Sequence, residues 1–181
     1  MNRYLSCVIG LLCLTGCDYD PPKGIEPVKN FKQQDYYGRW YEIARLDHSF
    51  ERNLSCVTGT YEPKNDGGIT VINRGYNADK GTWSEDQGSG YLVGDNHTGQ
   101  LKVSFFGPFY GSYIIFYLDD QSAYVTSSSR DYLWYLSRTP KVTNKQLDHF
   151  KAYAKAHGFK TDQLIIVDQS GKDQGGCHPQ A

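Results

Sequence analysis

The chain has 181 residues, with 19 Lys and Arg against 20 Asp and Glu, for a formal charge of −1. That balance, with the cations scattered, leaves no electrostatic footprint for nucleic acid and no charged tail at either end. Met occurs once, Tyr 15 times and Gly 19 times, a composition that favours strands joined by tight turns over a helical bundle.

In chain order the first element is a leader. Arg3 precedes an apolar run from Leu5 to Leu14 that ends in small residues, the layout of an export signal. The run is too short to cross a bilayer. It closes on Leu14-Thr15-Gly16-Cys17, which resembles the bacterial lipobox, where cleavage leaves the cysteine first and diacylated. Residues 1–16 are therefore expected to be a signal peptide, 17–30 a lipidated N-terminus and tether, and 31–181 one domain large enough to bury a single core. The resemblance implies anchorage in the outer membrane; Asp18, directly after the cysteine, leaves inner-membrane retention open. Pro21-Pro22 and Pro27 exclude a helix or central strand between Asp18 and Asn30, so that segment reads as an extended spacer.

From Gly38 the chain breaks into short runs separated by turn clusters such as Asn65-Asp66-Gly67-Gly68, Asn77-Ala78-Asp79, Asp95-Asn96-His97 and Asp119-Asp120. This rhythm predicts about eight antiparallel strands. In Leu101-Lys102-Val103-Ser104-Phe105 the alternation puts Leu101, Val103 and Phe105 on one face. Tyr113 to Tyr117 is apolar throughout, so that strand is expected to be covered on both sides. Thr143-Asn144-Lys145-Gln146 has the capping-box pattern, and Leu147, Phe150 and Ala154 follow at helical spacing before Gly158. A final short strand is expected over Leu164 to Val167. The predicted fold is an all-β, eight-stranded antiparallel up-and-down barrel with one C-terminal helix packed outside.

Once Cys7 and Cys13 leave with the signal and Cys17 is acylated, Cys56 and Cys177 remain, and in an oxidising exterior they should pair. The alternative is a free reactive thiol, for which the sequence offers no activating base.

Gly38-Arg39-Trp40-Tyr41-Glu42-Ile43-Ala44-Arg45 resembles the Gly-x-Trp signature of the lipocalin family. Arg130-Asp131-Tyr132-Leu133-Trp134-Tyr135-Leu136-Ser137-Arg138 resembles the family's later motifs, and Phe105-Phe106-Gly107-Pro108-Phe109-Tyr110-Gly111 resembles its bacterial outer-membrane lipoproteins, relatives of apolipoprotein D. These blocks cover nearly the whole mature chain. The resemblance implies that Trp40 plugs the closed end of the barrel, with Arg138 over its indole and Gly38 beside it, in structural roles. Strand parity expects Gly38, Trp40, Glu42 and Ala44 to share a face.

A barrel of this type has room for one small apolar ligand. Trp134 is expected to project into the cavity, which Val103, Phe105 and Tyr113 would line. Glu42 is the costly exception inside, to be paired with a ligand headgroup or a nearby tyrosine. The Phe105–Tyr110 turn is expected at the open end, facing a membrane or a second subunit, or folding inward over the mouth. No nucleophile elbow, phosphate-cradling loop or metal-spaced cluster occurs, and His48, His97, His149, His157 and His178 read as surface residues. No cofactor is implied. The resulting expectation is a membrane-anchored binding protein for a fatty acid or lysophospholipid, serving cell-envelope maintenance under stress, for which the resemblance allows a homodimer. The alternatives are an isomerase-like enzyme using the calyx, and a structural or adhesive lipoprotein with a filled barrel.

Overall fold

The computed structural model describes residues 19–94, 97–172 and 176–177. The expected leader, Cys17, Asp18, the Asp95-Asn96 turn and His178 lie outside the described residues. Eight strands follow one another round a closed antiparallel barrel: β1 (Gly38–Arg45), β2 (Leu54–Pro63), β3 (Ile69–Asn77), β4 (Thr82–Leu92), β5 (Gln100–Phe106), β6 (Phe109–Leu118), β7 (Ser122–Thr126) and β8 (Leu133–Ser137). Strand β1 closes the ring by pairing with both β8 and β2. Closure leaves each barrel strand partnered on both edges, which is how an antiparallel sheet of this size escapes edge-to-edge association. A short helix α1 (Gln33–Tyr36) precedes β1, while helix α2 (Asn144–Ala156), a 3-10 turn (Thr161–Gln163) and strand β9 (Ile165–Ile166) follow β8.

The apolar side chains sort into two layers. Tyr36, Trp40, Tyr61, Ile69, Val71, Leu101, Ile115, Val125 and Leu136 fill the barrel interior. Ile43, Ala44, Phe116, Tyr124 and Tyr135 pack outward against Phe150 and Ala154 of α2. The capping box is present: the Gln146 N–H donates to Thr143 Oγ1 at 3.3 Å, and the Thr143 N–H donates to Gln146 Oε1 at 2.9 Å. Gly158, with φ +83°, ends the helix in a conformation that L side chains rarely adopt. The Phe150 ring stacks on Tyr135 with centroids 4.9 Å apart. Strand β6 is covered on both sides as its composition requires, with Ile115 inside and Phe116 under the helix.

Parity along β1 fails at one point. Glu42 opposes Leu136 and Ala44 opposes Tyr135, leaving Ile43 as an extra residue in a β-bulge. Beyond it the faces exchange. Ala44, expected inside with Trp40 and Glu42, joins the layer under α2, and Arg45 turns inward instead.

The segment expected to be a spacer is extended but lies along the barrel. Gln100 Nε2 donates to the Tyr19 carbonyl at 2.9 Å, Arg130 donates to the Lys23 carbonyl at 2.6 Å, and Ile25 is buried in the α2-side layer. The Val28 N–H donates to Ile115 O at 2.8 Å and Val28 O accepts from Gly99 at 2.8 Å. Apolar Ile25, Val28 and Phe31, spaced three residues apart, give the strap its attachment.

The C-terminal tail closes a seam. Strand β2 pairs with β1 only over Gly38–Tyr41, and β9 pairs with β1 at Ala44 and Arg45. Gln169 Nε2 reaches across, donating at 2.8 Å to both Glu42 O and Val57 O. Cys56 and Cys177 form the expected disulfide, with Cα atoms 5.1 Å apart across a sequence separation of 121. Replacing Cys177 with Ser should cost about 2–5 kcal/mol of unfolding free energy, the usual range for a native bridge closing a long loop, measured as a lower urea midpoint for the oxidised protein; an unchanged midpoint would show that the tail adds no constraint.

Candidate functional site

The closed end of the barrel is solid. Trp40 is fully buried, its Nε1–H donates to Tyr36 O at 2.9 Å, and the Arg138 guanidinium lies 3.7 Å from the indole centroid. Arg138 also donates to the carbonyls of Asp35, Tyr37 and Arg39, at 2.8, 3.0 and 3.2 Å. The guanidinium thus caps α1 and covers the indole in a cation–π contact of about 1–2 kcal/mol where water is excluded. Gly38, at φ +94°, sits under this guanidinium in a conformation that disfavours a side chain.

Above the plug three phenols meet. Tyr113 OH is 2.7 Å from both Tyr36 OH and Tyr61 OH. Burial pushes all three hydroxyls up, Tyr61 to about 12, so they act as neutral hydrogen-bond donors and acceptors. Val103, Phe105, Tyr113 and Trp134 all pack against the interior layer, yet each is only half-buried. Val103, Tyr113 and Trp134 keep accessible surface above the solid base, whereas Phe105 also borders an open cleft in the barrel side.

Glu42 lies in this upper interior, buried at 3 % exposure. Its partner is not the tyrosine that the sequence offered on the protein's side: Arg45 Nη1 donates to Glu42 Oε1 at 2.7 Å. The bulge at Ile43 creates this pair, since regular alternation would put residues 42 and 45 on opposite faces. Arg45 Nη2 also donates to Glu51 O at 2.6 Å, pinning the β1–β2 loop over the mouth. Glu51 Oε2 accepts from Trp134 Nε1 at 3.1 Å and lies 3.1 Å from His48 Nε2, an ion-pair contact without hydrogen-bond alignment.

His48, expected on the surface, is therefore a buried member of the site, because the loop folds back over Trp134. His97 and His149 are exposed, and His149 Nδ1 bonds Tyr124 OH outside the barrel. The sequence named Glu42 and Trp134 but missed Arg45, His48 and Glu51, whose inward positions depend on a bulge and a loop path.

Electrostatically the cluster is short of positive charge. Burial and the adjacent Glu51 push the Glu42 carboxyl well above its usual range, against the pull of Arg45. Burial also acts to raise Glu51, but His48, the Trp134 N–H and Arg45 outweigh it and hold that carboxyl below its usual range. Arg45 Nε and His48 Nδ1 are buried without a hydrogen-bond partner. Native interiors rarely leave such groups unpaired, so both are open to a ligand or ordered water.

Around the mouth Phe50, Phe106 and Phe109 are 63, 77 and 80 % exposed. The Phe105–Tyr110 turn does not fold inward. An open cleft of about 290 Å³ lies beside it, and a groove of about 500 Å³ lies outside the barrel between the β6–β7 turn and α2. That groove is remote from the interior residues. The cysteines of the described residues are joined in the disulfide, so neither supplies a thiolate to the calyx.

The lipocalin-like domain family matches residues 31–169. The outer membrane lipoprotein Blc of Vibrio cholerae is 49 % identical over 170 residues, covering 92 % of this chain and 99 % of that protein. Its Escherichia coli namesake is 48 % identical, covering 83 % of this chain and 86 % of the relative. Among solved structures, insecticyanin from the tobacco hornworm Manduca sexta superposes with a TM-score of 0.68 at 18 % identity, covering 88 % of this chain and 92 % of that one. The last likeness concerns the fold alone.

Two substitutions probe the buried cluster. Arg45→Met leaves Glu42 buried without its cation and should cost about 3–5 kcal/mol in urea unfolding, with part of the loss recovered in Glu42→Leu/Arg45→Met; a neutral single variant would mean that the pair is not desolvated. Because the folded Glu51 carboxyl sits below its unfolded value, it contributes stability that is present above that value and lost as pH falls through the folded one. Glu51→Gln should therefore flatten the acid limb of the urea midpoint against pH, and an unaltered limb would count against the assignment.

Proposed function

This chain belongs to the lipocalin family, and from that premise we propose that it is an outer-membrane lipoprotein, anchored through Cys17, that binds one single-chain lipid in its calyx. The acyl chain would occupy the upper interior between Val103, Phe105, Tyr113 and Trp134. Burying apolar surface there yields about 25 cal/mol per Å² before the costs of ordering the ligand. The plug of Trp40 and Arg138 sets the depth to which a chain can penetrate.

One observation favours a zwitterionic lysophospholipid over a fatty acid. The polar cluster beside Trp134 offers two carboxylates, Glu42 and Glu51, for a single guanidinium, together with the unpartnered Arg45 Nε and His48 Nδ1. A headgroup with an amine and a phosphate matches both halves of that arrangement: the amine answers the carboxylates, and the phosphate answers Arg45 and His48. A fatty-acid carboxylate meets the donors but also the like charge of Glu51. Storage or transport of such lipids during envelope maintenance under stress follows from an anchor and a pocket that address the same class of molecule. The protein acts by binding, with no catalytic role for the cluster.

Native mass spectrometry of the purified protein incubated with envelope lipid extract should detect one retained single-chain phospholipid per calyx; a protein that retains none supports a filled, structural barrel instead. In fluorescence titrations, Glu42→Gln should weaken lysophosphatidylethanolamine about tenfold, or 1.4 kcal/mol, while changing palmitate binding little. Equal losses for the two ligands would reject the headgroup role. The Trp134→Phe variant should lose most of the emission change, since Trp40 lies in the solid end.

A further inference from the structure

The path of the N-terminal strap carries an inference about orientation. Tyr19 is held against the wall of β5 by the Gln100 side chain, and the strap is fixed further along at Lys23, Ile25 and Val28. A single residue, Asp18, separates Tyr19 from Cys17, a reach of at most about 7 Å. Gln100 is at the start of β5 and Phe106 at its end, so wall attachment and hairpin tip are about 20 Å apart along the strand. With the strap docked, an acylated Cys17 therefore enters the bilayer beside the wall. A barrel standing mouth-down on its aromatic rim would hold Tyr19 too far from the surface.

The same hairpin has the composition of a membrane-facing edge. Neither β5 nor β6 contains an acidic residue, whereas neighbouring β4 carries Glu85 and Asp86. On the outer face Lys102 lies over the Tyr110 ring at 5.1 Å, and Tyr110 adjoins Tyr91 at 6.3 Å. Tyrosine and lysine are side chains that suit the headgroup layer, with an apolar body and a polar tip. At the tip, Phe106 and Phe109 project into solvent. Next to them the β4–β5 ladder stops at the Ser89–Ser104 pair, opening the cleft of about 290 Å³ lined by Gln87, Ser89, Ser104 and Tyr110. Ser104 Oγ is buried at its edge with no hydrogen-bond partner, a polar group left for a headgroup to satisfy.

We infer that the β5–β6 hairpin is the bilayer-contacting edge of the domain, so that the anchored barrel lies side-on, with Phe106 and Phe109 in the interface and the β4–β5 cleft open to lipid headgroups. The occupant of this surface is a phospholipid membrane. In this posture the calyx mouth and the side cleft both sit at the level of the lipids, while Phe50, across the mouth on the β1–β2 loop, faces away.

The inference rests on attachment at Cys17, so its test supplies that attachment chemically. In residues 17–181 produced without the leader, Cys56 and Cys177 are bridged, leaving the unacylated Cys17 thiol to couple to a maleimide-headgroup phospholipid in vesicles of phosphatidylethanolamine and phosphatidylglycerol. Mass spectrometry of the natural N-terminus tests acylation separately, so the two failures are distinguishable. p-Benzoylphenylalanine is placed singly at Phe106, Lys102, Phe50 or Lys155, and the vesicles are irradiated. Lipid adducts should form at Phe106 and Lys102 several-fold above Phe50 and Lys155. Adducts at Phe106 and Phe50 without Lys102 would mean that the barrel stands on its mouth. Crosslinks from Phe106 to a second copy would make the tip a dimer contact, and equal yields at all four positions would mean that the strap holds no orientation; each of these results overturns the inference.

Discussion

Strand β1 must satisfy three partners with two edges, and the bulge at Ile43 is how it does so. Below the bulge β1 pairs with β2 and β8 as an ordinary barrel strand; at Ala44 and Arg45 it keeps β8, while β9 takes the edge that β2 has left. One extra residue therefore decides three things at once. It turns Ile43 and Ala44 toward α2, it brings Arg45 inside beside Glu42, and it opens the seam that the tail and its disulfide close. The outer core, the polar cluster and the C-terminal closure share this local break in alternation.

The bulge also explains how charge is tolerated inside an apolar barrel. A lone Glu42 in that interior would be protonated or would destabilise the fold. Arg45 compensates it at 2.7 Å and also fixes the β1–β2 loop through the Glu51 carbonyl. Glu51 is then offset by His48 and the Trp134 N–H. A buried pair of this kind is weak evidence for added stability, because desolvation consumes most of its attraction. Its better-supported role is specificity: it fixes the loop path and leaves directed polar groups where a ligand headgroup would arrive.

Most of the architecture was legible in the sequence because it rests on period and turn chemistry. Thr143 and Gln146 announced α2, the run from Tyr113 to Tyr117 announced a strand covered on both faces, and Cys56 and Cys177 could be paired once the leader was subtracted. The site was legible only in half. Trp134 and Glu42 follow from parity, whereas Arg45 lies three residues from Glu42 in a strand and parity assigns it to the opposite face. His48 and Glu51 are in a loop whose path is fixed by long-range contacts, which leave no periodic signature. The strap was legible as extended but not as docked: Pro21, Pro22 and Pro27 exclude helix, but they do not exclude docking, and Ile25, Val28 and Phe31 are the apolar residues that dock it.

The two ends of the barrel divide the work of the fold. At the base, Trp40, Tyr36 and Arg138 are interlocked by backbone carbonyls and ring contacts, and among the described residues none of these three leaves a buried side-chain polar atom unpaired. Among the described residues, the buried side-chain atoms without hydrogen-bond partners are Arg45 Nε, both His48 ring nitrogens and Ser104 Oγ, toward the other end or along its side cleft, and Gln169 Oε1 at the β1–β2 seam. Stability is thus concentrated where nothing enters, and unsatisfied hydrogen-bonding capacity is concentrated where a lipid would. That separation lets the chain keep an interlocked base while the polar cluster beside Trp134 retains free hydrogen-bonding capacity.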